Sequence, residues 1–109
     1  IRITCYVRPH RLEAVKSAIA DTGVTGMNVA DVRGAGNSPE TSRWGGGAVV
    51  AMPIRSRIEV VAEASLQEEI IQAILSAAQT GESGDGKIFV EPVEDVLRVR
   101  TGERGRAAL

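Results

Sequence analysis

Cysteine, histidine and aromatic residues are scarce in this chain of 109 residues, which has one Cys, one His and one each of Trp, Tyr and Phe. A single cysteine, Cys5, cannot form a disulfide within the chain, and Cys5 with His10 supplies too few ligands for a zinc site. Because Cys5 lies in an apolar segment, we expect it to be a buried thiol in a strand. The few aromatic side chains also argue against a sheet that binds RNA by stacking bases.

Long apolar runs and a surplus of charge of one sign are absent as well. No apolar run reaches the length of about 18 residues that is typical of a membrane span. The formal net charge is −1, which argues against non-specific nucleic-acid binding. The first residues, Ile1–Thr4, show no signal-peptide pattern, and we expect a cytoplasmic protein.

The chain does have enough apolar residues, 43%, to build a core. Its length predicts a single domain over residues 1–109. A domain of this size buries a modest fraction of its surface, so association with other copies would stabilise it.

The first half of the chain alternates between strand and helix patterns. Apolar residues at every second position predict a strand over Ile1–Val7, and helical spacing predicts a helix over Arg11–Thr22. Gly26–Val32 predicts a second strand, with a bulge before Val32 because the alternation slips there. Residues 33–47 have no period and are rich in Gly, Ser and Pro, which is typical of a long functional loop.

The second half repeats this order. Two segments, Ala48–Met52 and Ser56–Ala62, are predicted strands, and the next helix begins at a capping box formed by Ser65 and Glu68. Lys87–Val90 and a short Leu97–Thr101 complete the list of predicted strands. The order β-α-β-β-α-β predicts an α+β fold with both helices on one face of an antiparallel sheet. The other face needs cover, and other subunits are a plausible source.

Gly84-Asp85-Gly86-Lys87 is the first segment with recognisable chemistry. Glycines allow backbone N–H groups to converge on an anion, and Lys87 adds a positive charge for phosphate. The alternative is an ordinary tight hairpin turn, for which Asp-Gly is well suited. A P-loop is rejected, because Ile88 stands where the magnesium-binding hydroxyl is needed and a strand follows instead of a helix.

Arg98 and Arg100 form the second candidate group. On one face of a strand they would suit a phosphate clamp, although charges on a solvated edge strand are a common alternative. Gly34 and Gly36 could let backbone approach a ligand, but alone they are a weak signal. Trp44 could contact a partner or tuck against its own domain, and His10 is interpreted as a structural or surface residue.

Several ordered motifs together resemble one family. They are Thr80-Gly81, the segment Gly84–Val90, the segment Arg98–Glu103, the segment Val24–Val29, Arg8-Pro9 with Leu12, and Ile58–Val61. This set is similar to the signature of the PII signal-transduction proteins and runs nearly from end to end.

The resemblance implies a ferredoxin-like βαββαβ sandwich with a short extra C-terminal strand. It also implies a homotrimer that binds ATP, ADP or AMP in three clefts between subunits. Gly84, Asp85, Gly86 and Lys87 would hold phosphates, and Arg98 and Arg100 would reach in across the interface. The remaining implied contacts are Gly34, Gly36 and Asn37 at the base of a mobile T-loop of about residues 37–54, and Asn28, Glu59 and Val61 near the base and ribose. Arg43 and Trp44 in that loop would contact the partner.

The chain departs from the family pattern in the loop. The loop has no tyrosine, so uridylylation of a loop tyrosine cannot occur. Ser38 replaces a glutamine that helps bind Mg²⁺ and 2-oxoglutarate, Arg55 replaces a lysine that meets the 2-oxoglutarate carboxylate, and Asn37 replaces an arginine. These changes argue against 2-oxoglutarate sensing and leave a role for Mg²⁺ open. In them the chain resembles divergent branches of the family, including those linked to bicarbonate transport and carboxysomes or to other transporters.

Two function classes follow. The first is a PII-type regulator, not an enzyme, whose bound nucleotide selects among loop conformations that a partner such as a transporter or metabolic enzyme reads. The alternative is a nucleotide-hydrolysing enzyme of low activity. Asp85 and Glu59 could be nominated for it, but they form no recognised catalytic arrangement.

Overall fold

A computed structural model describes residues 1–36 and 52–109 of the chain. The strands are β1 (Arg2–Val7), β2 (Asn28–Arg33), β3 (Ile54–Val61) and β4 (Gly86–Glu91), and the helices are α1 (Leu12–Ala20) and α2 (Gln67–Ala78). Residues 48–51 of the predicted strand Ala48–Met52 lie outside the described residues, and Met52 is not in a strand. Within the described ranges, neither helix has the length and apolar character needed to cross a bilayer.

The four strands form one antiparallel sheet in the order β2-β3-β1-β4. Strand β1 is central: Cys5 pairs with Ile58 of β3 on one side and with Ile88 of β4 on the other. Both helices pack on the same side of this sheet, since their buried residues join one core with those of β1 and β3. The predicted ferredoxin-like α+β fold is confirmed.

The core follows directly from the alternation in β1. Ile3, Cys5 and Val7 are buried against the helices, because successive side chains of a strand point to opposite faces. The other fully buried apolar side chains come from the facing elements: Val15 and Ile19 of α1, Ile58 of β3, and Ile70 and Ile74 of α2. Cys5 is a free buried thiol, as predicted, and burial raises its pKa to about 11.

Neither α1 nor α2 lies on the opposite face of the sheet, which we call the helix-free face. Tyr6 of β1 lies there and meets the ring of Phe89 edge to face, with the centroids 6.1 Å apart and an angle of 87° between the planes. Phe89 remains 49% exposed and Val61 36% exposed on this chain alone. The helix-free face therefore combines apolar and charged side chains that the described residues leave partly exposed.

Two local predictions are wrong. Strand β2 pairs with β3 in one continuous register from Asn28 to Arg33, so the described pairing contains no bulge before Val32. The capping box is also absent: Ser65 lies inside a 3₁₀ turn, Ala64–Leu66, and the residue before α2 is Leu66, with no side-chain cap. Because the chain is already turning at Ala64, Ser65 is past the position where its hydroxyl could cap the helix.

The predicted last strand, Leu97–Thr101, is wrong as well. Leu97 makes one isolated bridge to Arg104, and the chain turns between them. The Gly102 amide donates to the Arg98 carbonyl at 2.7 Å, and Gly102 has a φ of +72°. Glycine adopts this conformation readily, so the turn overrides the short alternation. Arg98 and Arg100 therefore do not share a strand face.

We predict that truncating Ile74 destabilises the domain strongly. Its side chain is 1% exposed in the middle of α2, and Ile74→Ala should lower the free energy of unfolding by roughly 2–5 kcal/mol. Leu75→Ala is the matched control, because Leu75 is the next residue of the same helix and is 39% exposed. Urea unfolding at one protein concentration would measure both. Equal losses in the two variants would contradict the assignment of the core face.

A second prediction concerns the start of β4. A Cβ added to Gly86 would lie 1.6 Å from the Tyr6 carbonyl oxygen, and Gly86 has a φ of +115°. Gly86→Ala should therefore cost at least about 3 kcal/mol of stability, because the obstacle is backbone and the conformation is unfavourable for alanine. Gly26→Ala is the control, since a Cβ there would meet nothing within 4 Å. Thermal denaturation that ranks the two variants equally would show that β1 and β4 do not approach this closely.

Candidate functional site

A cavity of about 690 Å³ lies at the end of the sheet where β2 finishes and β3 begins. Its lining has four parts: the segment after β2, the turn before β4, a set of cations, and the aromatic pair of the helix-free face. The residues that we use below are Gly34, Gly36, Ser83, Gly84, Gly86, Arg33, Arg55, Arg57, Lys87, Tyr6 and Phe89. The cavity therefore brings together segments that are distant in the sequence.

Four cationic residues line this cavity, and the strand register explains the positions of Lys87, Arg55 and Arg57. Tyr6 pairs with Arg57 of β3 and with Lys87 of β4, so the two cations flank Tyr6 in one row across the sheet. Arg55 lies two residues before Arg57 on the same face of β3, and Arg33 ends β2. Among the described residues, no Asp or Glu lines the cavity. Like charges so close favour an anion that carries several negative charges.

The glycine turn forms one wall. Gly84 and Gly86 both have positive φ angles, +99° and +115°, and both line the cavity. The turn connects α2 to β4 and does not join two neighbouring strands, so the hairpin alternative is wrong. Backbone N–H groups on such a turn can face a bound phosphate, and Lys87 follows directly on the same wall.

Asp85 does not line this cavity. Its carboxylate accepts hydrogen bonds from the Thr80 amide at 2.7 Å, the Thr80 hydroxyl and the Gly81 amide at 2.9 Å. The Arg8 Nε atom lies 3.4 Å from Asp85 Oδ1. These donors, the Thr80 hydroxyl foremost, hold the pKa of Asp85 well below its usual range. The carboxylate is therefore ionised and committed to the turn itself.

The base of the loop forms the second wall. The Gly34 amide donates to the Pro53 carbonyl at 3.1 Å, which joins the end of β2 to the segment before β3. Gly34 and Gly36 both line the cavity, so a ligand there would touch the residue next to Asn37. Asn37, Arg43 and Trp44 themselves lie outside the described residues.

Five other predicted site residues are not at the cavity of this chain. Asn28 and Glu59 pair with each other, and Val61 follows on β3, toward the opposite end of the sheet. Arg98 contacts Glu103 at 3.5 Å and the Leu109 carbonyl at 3.2 Å, and Arg100 is exposed in the C-terminal turn. One protomer thus assembles only part of the predicted set.

Sequence reasoning overlooked Tyr6, Arg57 and Phe89 as lining residues. The alternation of β1 and β3 already places Tyr6 and Arg57 on the face away from the core, which was an available signal. The register that makes them neighbours is not visible in either segment alone. In the part of the chain that the structure covers, no group of three or more His, Cys, Asp or Glu side chains is placed to hold a metal ion.

Comparisons with known proteins agree on one family. The family model described as nitrogen regulatory protein P-II matches residues 1–103. Proteins named nitrogen regulatory protein P-II from Azospirillum brasilense and Microchaete diplosiphon are 44% and 39% identical to this chain, over 99% of the chain and 98% of each relative. A P-II homolog from Arabidopsis thaliana is 44% identical over 98% of the chain, which spans 56% of that relative's length.

A solved structure, Arabidopsis thaliana PII bound to citrate, is similar to the whole fold. Its TM-score is 0.82 at 41% sequence identity, and the similarity covers 99% of this chain and 90% of that one. The likeness in sequence and the likeness in structure both extend over nearly all of the chain. The chain therefore belongs to the PII family of nitrogen regulatory signalling proteins.

Proposed function

We propose that this protein is a homotrimeric, cytoplasmic PII-type regulator that binds ATP, ADP or AMP between subunits and signals the bound nucleotide through residues 37–54. The observation that carries the proposal is the cavity that combines four cations and a glycine turn with no acidic side chain among its described lining residues. A polyphosphate supplies the negative charge that this arrangement lacks, and both backbone N–H groups and Lys87 can bind it.

The trimer is supported by what one protomer leaves incomplete. Phe89 and Val61 are large apolar side chains exposed on the helix-free face of the sheet, and their burial would favour association. A neighbour packed on this face would bring its own Asn28 and Glu59 toward the aromatic end of the cavity. Its Val61, Arg98 and Arg100 would complete the same site.

The signalling step uses the position of the cavity. Its wall includes Gly34 and Gly36, directly before Asn37, so nucleotides with different numbers of phosphates can favour different conformations of the loop. A ligand shifts such an equilibrium only by its differential affinity for the states. Arg43 and Trp44 are the proposed contacts with a partner protein, a transporter or a metabolic enzyme.

A small carboxylate or bicarbonate is the proposed second ligand. The Arabidopsis structure holds citrate, and Arg33, Arg55 and Arg57 in this cavity would suit a multiply charged carboxylate. The replacements at Asn37, Ser38 and Arg55 argue against 2-oxoglutarate, so bicarbonate and citrate are the anions to compare with it. Whether Mg²⁺ accompanies the nucleotide is part of the same measurement.

Hydrolysis receives less support from the geometry. Asp85 is occupied by hydrogen-bond donors of its own turn and does not face the large cavity. Glu59 pairs with Asn28 and Thr4, two positions along the strand from Arg57. Neither carboxylate is therefore placed to activate water beside a phosphate at Lys87 within one protomer.

We predict that removing either proposed phosphate partner weakens nucleotide binding. Lys87→Ala and Arg98→Ala should each reduce ADP affinity roughly 10- to 100-fold, because a charge-assisted hydrogen bond contributes about 1.5–3 kcal/mol. Lys16→Ala is the control, since Lys16 pairs with Glu13 on α1. Calorimetry with AMP, ADP and ATP, each with and without Mg²⁺, 2-oxoglutarate, citrate and bicarbonate, would measure these affinities.

Three outcomes would contradict the proposal. Unchanged ADP affinity in both variants would remove the assigned site, and a monomer in sedimentation experiments would remove the intersubunit cleft. Release of phosphate over many turnovers by the wild-type protein, lost in Asp85→Asn or Glu59→Gln at saturating ATP, would favour the hydrolytic alternative.

A further inference from the structure

We propose that Arg8 is a positioning residue for the nucleotide site: it holds the glycine turn of residues 83–86 in its binding conformation without contacting the ligand. This inference rests on the proposed function, because it assigns the role of Arg8 to the same phosphate site. Arg8 follows the last residue of β1 and is not among the residues that line the large cavity.

Arg8 connects the sheet to the turn through two groups. Its Nη2 donates to the Ser83 carbonyl at 2.6 Å, and its Nε lies 3.4 Å from Asp85 Oδ1. The two side chains of this ion pair are largely shielded, with 13% of Arg8 and 21% of Asp85 exposed. Shielding strengthens the attraction relative to a pair in water. One planar guanidinium therefore fixes the turn at both a backbone and a side-chain position.

Asp85 links the contact with Arg8 to Thr80 and Gly81, at the start of the turn. Its carboxylate also accepts the amide hydrogens of Thr80 and Gly81, so the residues from Thr80 to Asp85 are tied together around one anion. Protonation of Asp85 would weaken all of these bonds, and its lowered pKa keeps the group ionised in neutral solution. Asp85 therefore holds the residues of the turn together through hydrogen bonds, and Arg8 attaches the turn to the end of β1.

The turn needs such a restraint because of its glycines. Gly81, Gly84 and Gly86 all have positive φ angles, and glycine loses more conformational freedom on ordering than other residues do. Gly86 is already held by its pairing with Val7, while Ser83 and Gly84 lie before the strand. Arg8 therefore restricts the part of the turn that β-sheet pairing leaves unrestricted, and a turn ordered in advance binds a ligand with less loss of entropy.

Lys87 provides the contrast that separates this role from direct binding. It is fixed by pairing with Tyr6 in the sheet and lines the cavity, so its contribution does not pass through Arg8. Arg8→Ala should disorder the backbone N–H groups of residues 83–85 and leave Lys87 in place. A lysine at position 8 keeps the positive charge but cannot reach Ser83 and Asp85 with the same planar pair of donors.

The test compares Arg8→Ala, Arg8→Lys, Asp85→Asn and the double variant Arg8→Ala/Asp85→Asn with Arg2→Ala. Arg2 is the matched control, because it links β1 to β4 through Glu91 at 3.2 Å, at the other end of the same two strands. Calorimetry would give affinities for ATP and for inorganic tripolyphosphate, and amide hydrogen exchange would compare residues 83–86 with the buried residues Ile70 and Ile74.

We expect Arg8→Ala to weaken the binding of both probes roughly tenfold, with Arg8→Lys in between and Arg2→Ala within about twofold of wild type. Amides of residues 83–86 should exchange roughly tenfold faster in Arg8→Ala, while those of α2 keep their wild-type rates. The affinity of the double variant for each probe should be no lower than that of the single variant with the lower affinity, because both substitutions release the same turn.

Each other result counts against the inference in a specific way. Wild-type affinity in Arg8→Ala would overturn it, because the side chain would then have no effect on binding. Full affinity in Arg8→Lys would also overturn it, since only the charge at position 8 would then matter. Weaker binding without faster exchange in the turn would make Arg8 a direct ligand contact.

If Arg8→Ala does not fold, Arg8→Lys and Asp85→Asn carry the same comparison. If wild-type protein binds neither probe, the proposed function fails, and the exchange rates still decide whether Arg8 orders the turn.

Discussion

The double pairing of β1, with β3 along one edge and β4 along the other, determines where the rest of the molecule lies. One set of its side chains, Ile3, Cys5 and Val7, forms the floor of the core. The alternate set places Tyr6 between Arg57 and Lys87 on the helix-free face. The same register brings Gly86 against the Tyr6 carbonyl, where only a residue without a side chain fits. The pairing of β1 therefore determines the positions of the core, of the cations beside Tyr6 and of the glycine turn.

The elements of the fold were predictable where the pattern was long and local. The alternation in Ile1–Val7 and the helical spacing around Ile70 and Ile74 each reflect burial on one face, which the sequence records directly. The short segment Leu97–Thr101 alternates too, but one glycine with a positive φ turns the chain there. Ser65 fitted a capping box by spacing alone, and the 3₁₀ turn before α2 removed it from the capping position.

The residues of the candidate site were predictable from local patterns only where they are contiguous in the sequence. Contiguous signals, such as Gly84 to Lys87, identified the turn that lines the cavity, and proposed it as an anion-binding turn, without any knowledge of the fold. Arg57 and Tyr6 become neighbours only through strand register, which depends on partners distant in the sequence. In the proposed arrangement Asn28, Arg98 and Arg100 reach the cavity from a second protomer, so the resemblance to the family suggested them and the patterns within one chain could not.

Cys5 gives the central strand a further property. It is the only cysteine of the chain and it is 1% exposed in the core between the sheet and the helices, and burial raises its pKa, so the thiol is protonated and unreactive while it stays buried. A thiol reagent can modify it only after the helices separate from the middle of the sheet. The rate of labelling at this one position would therefore measure how often the helices separate from the sheet, and its change with added nucleotide would report binding without any introduced probe.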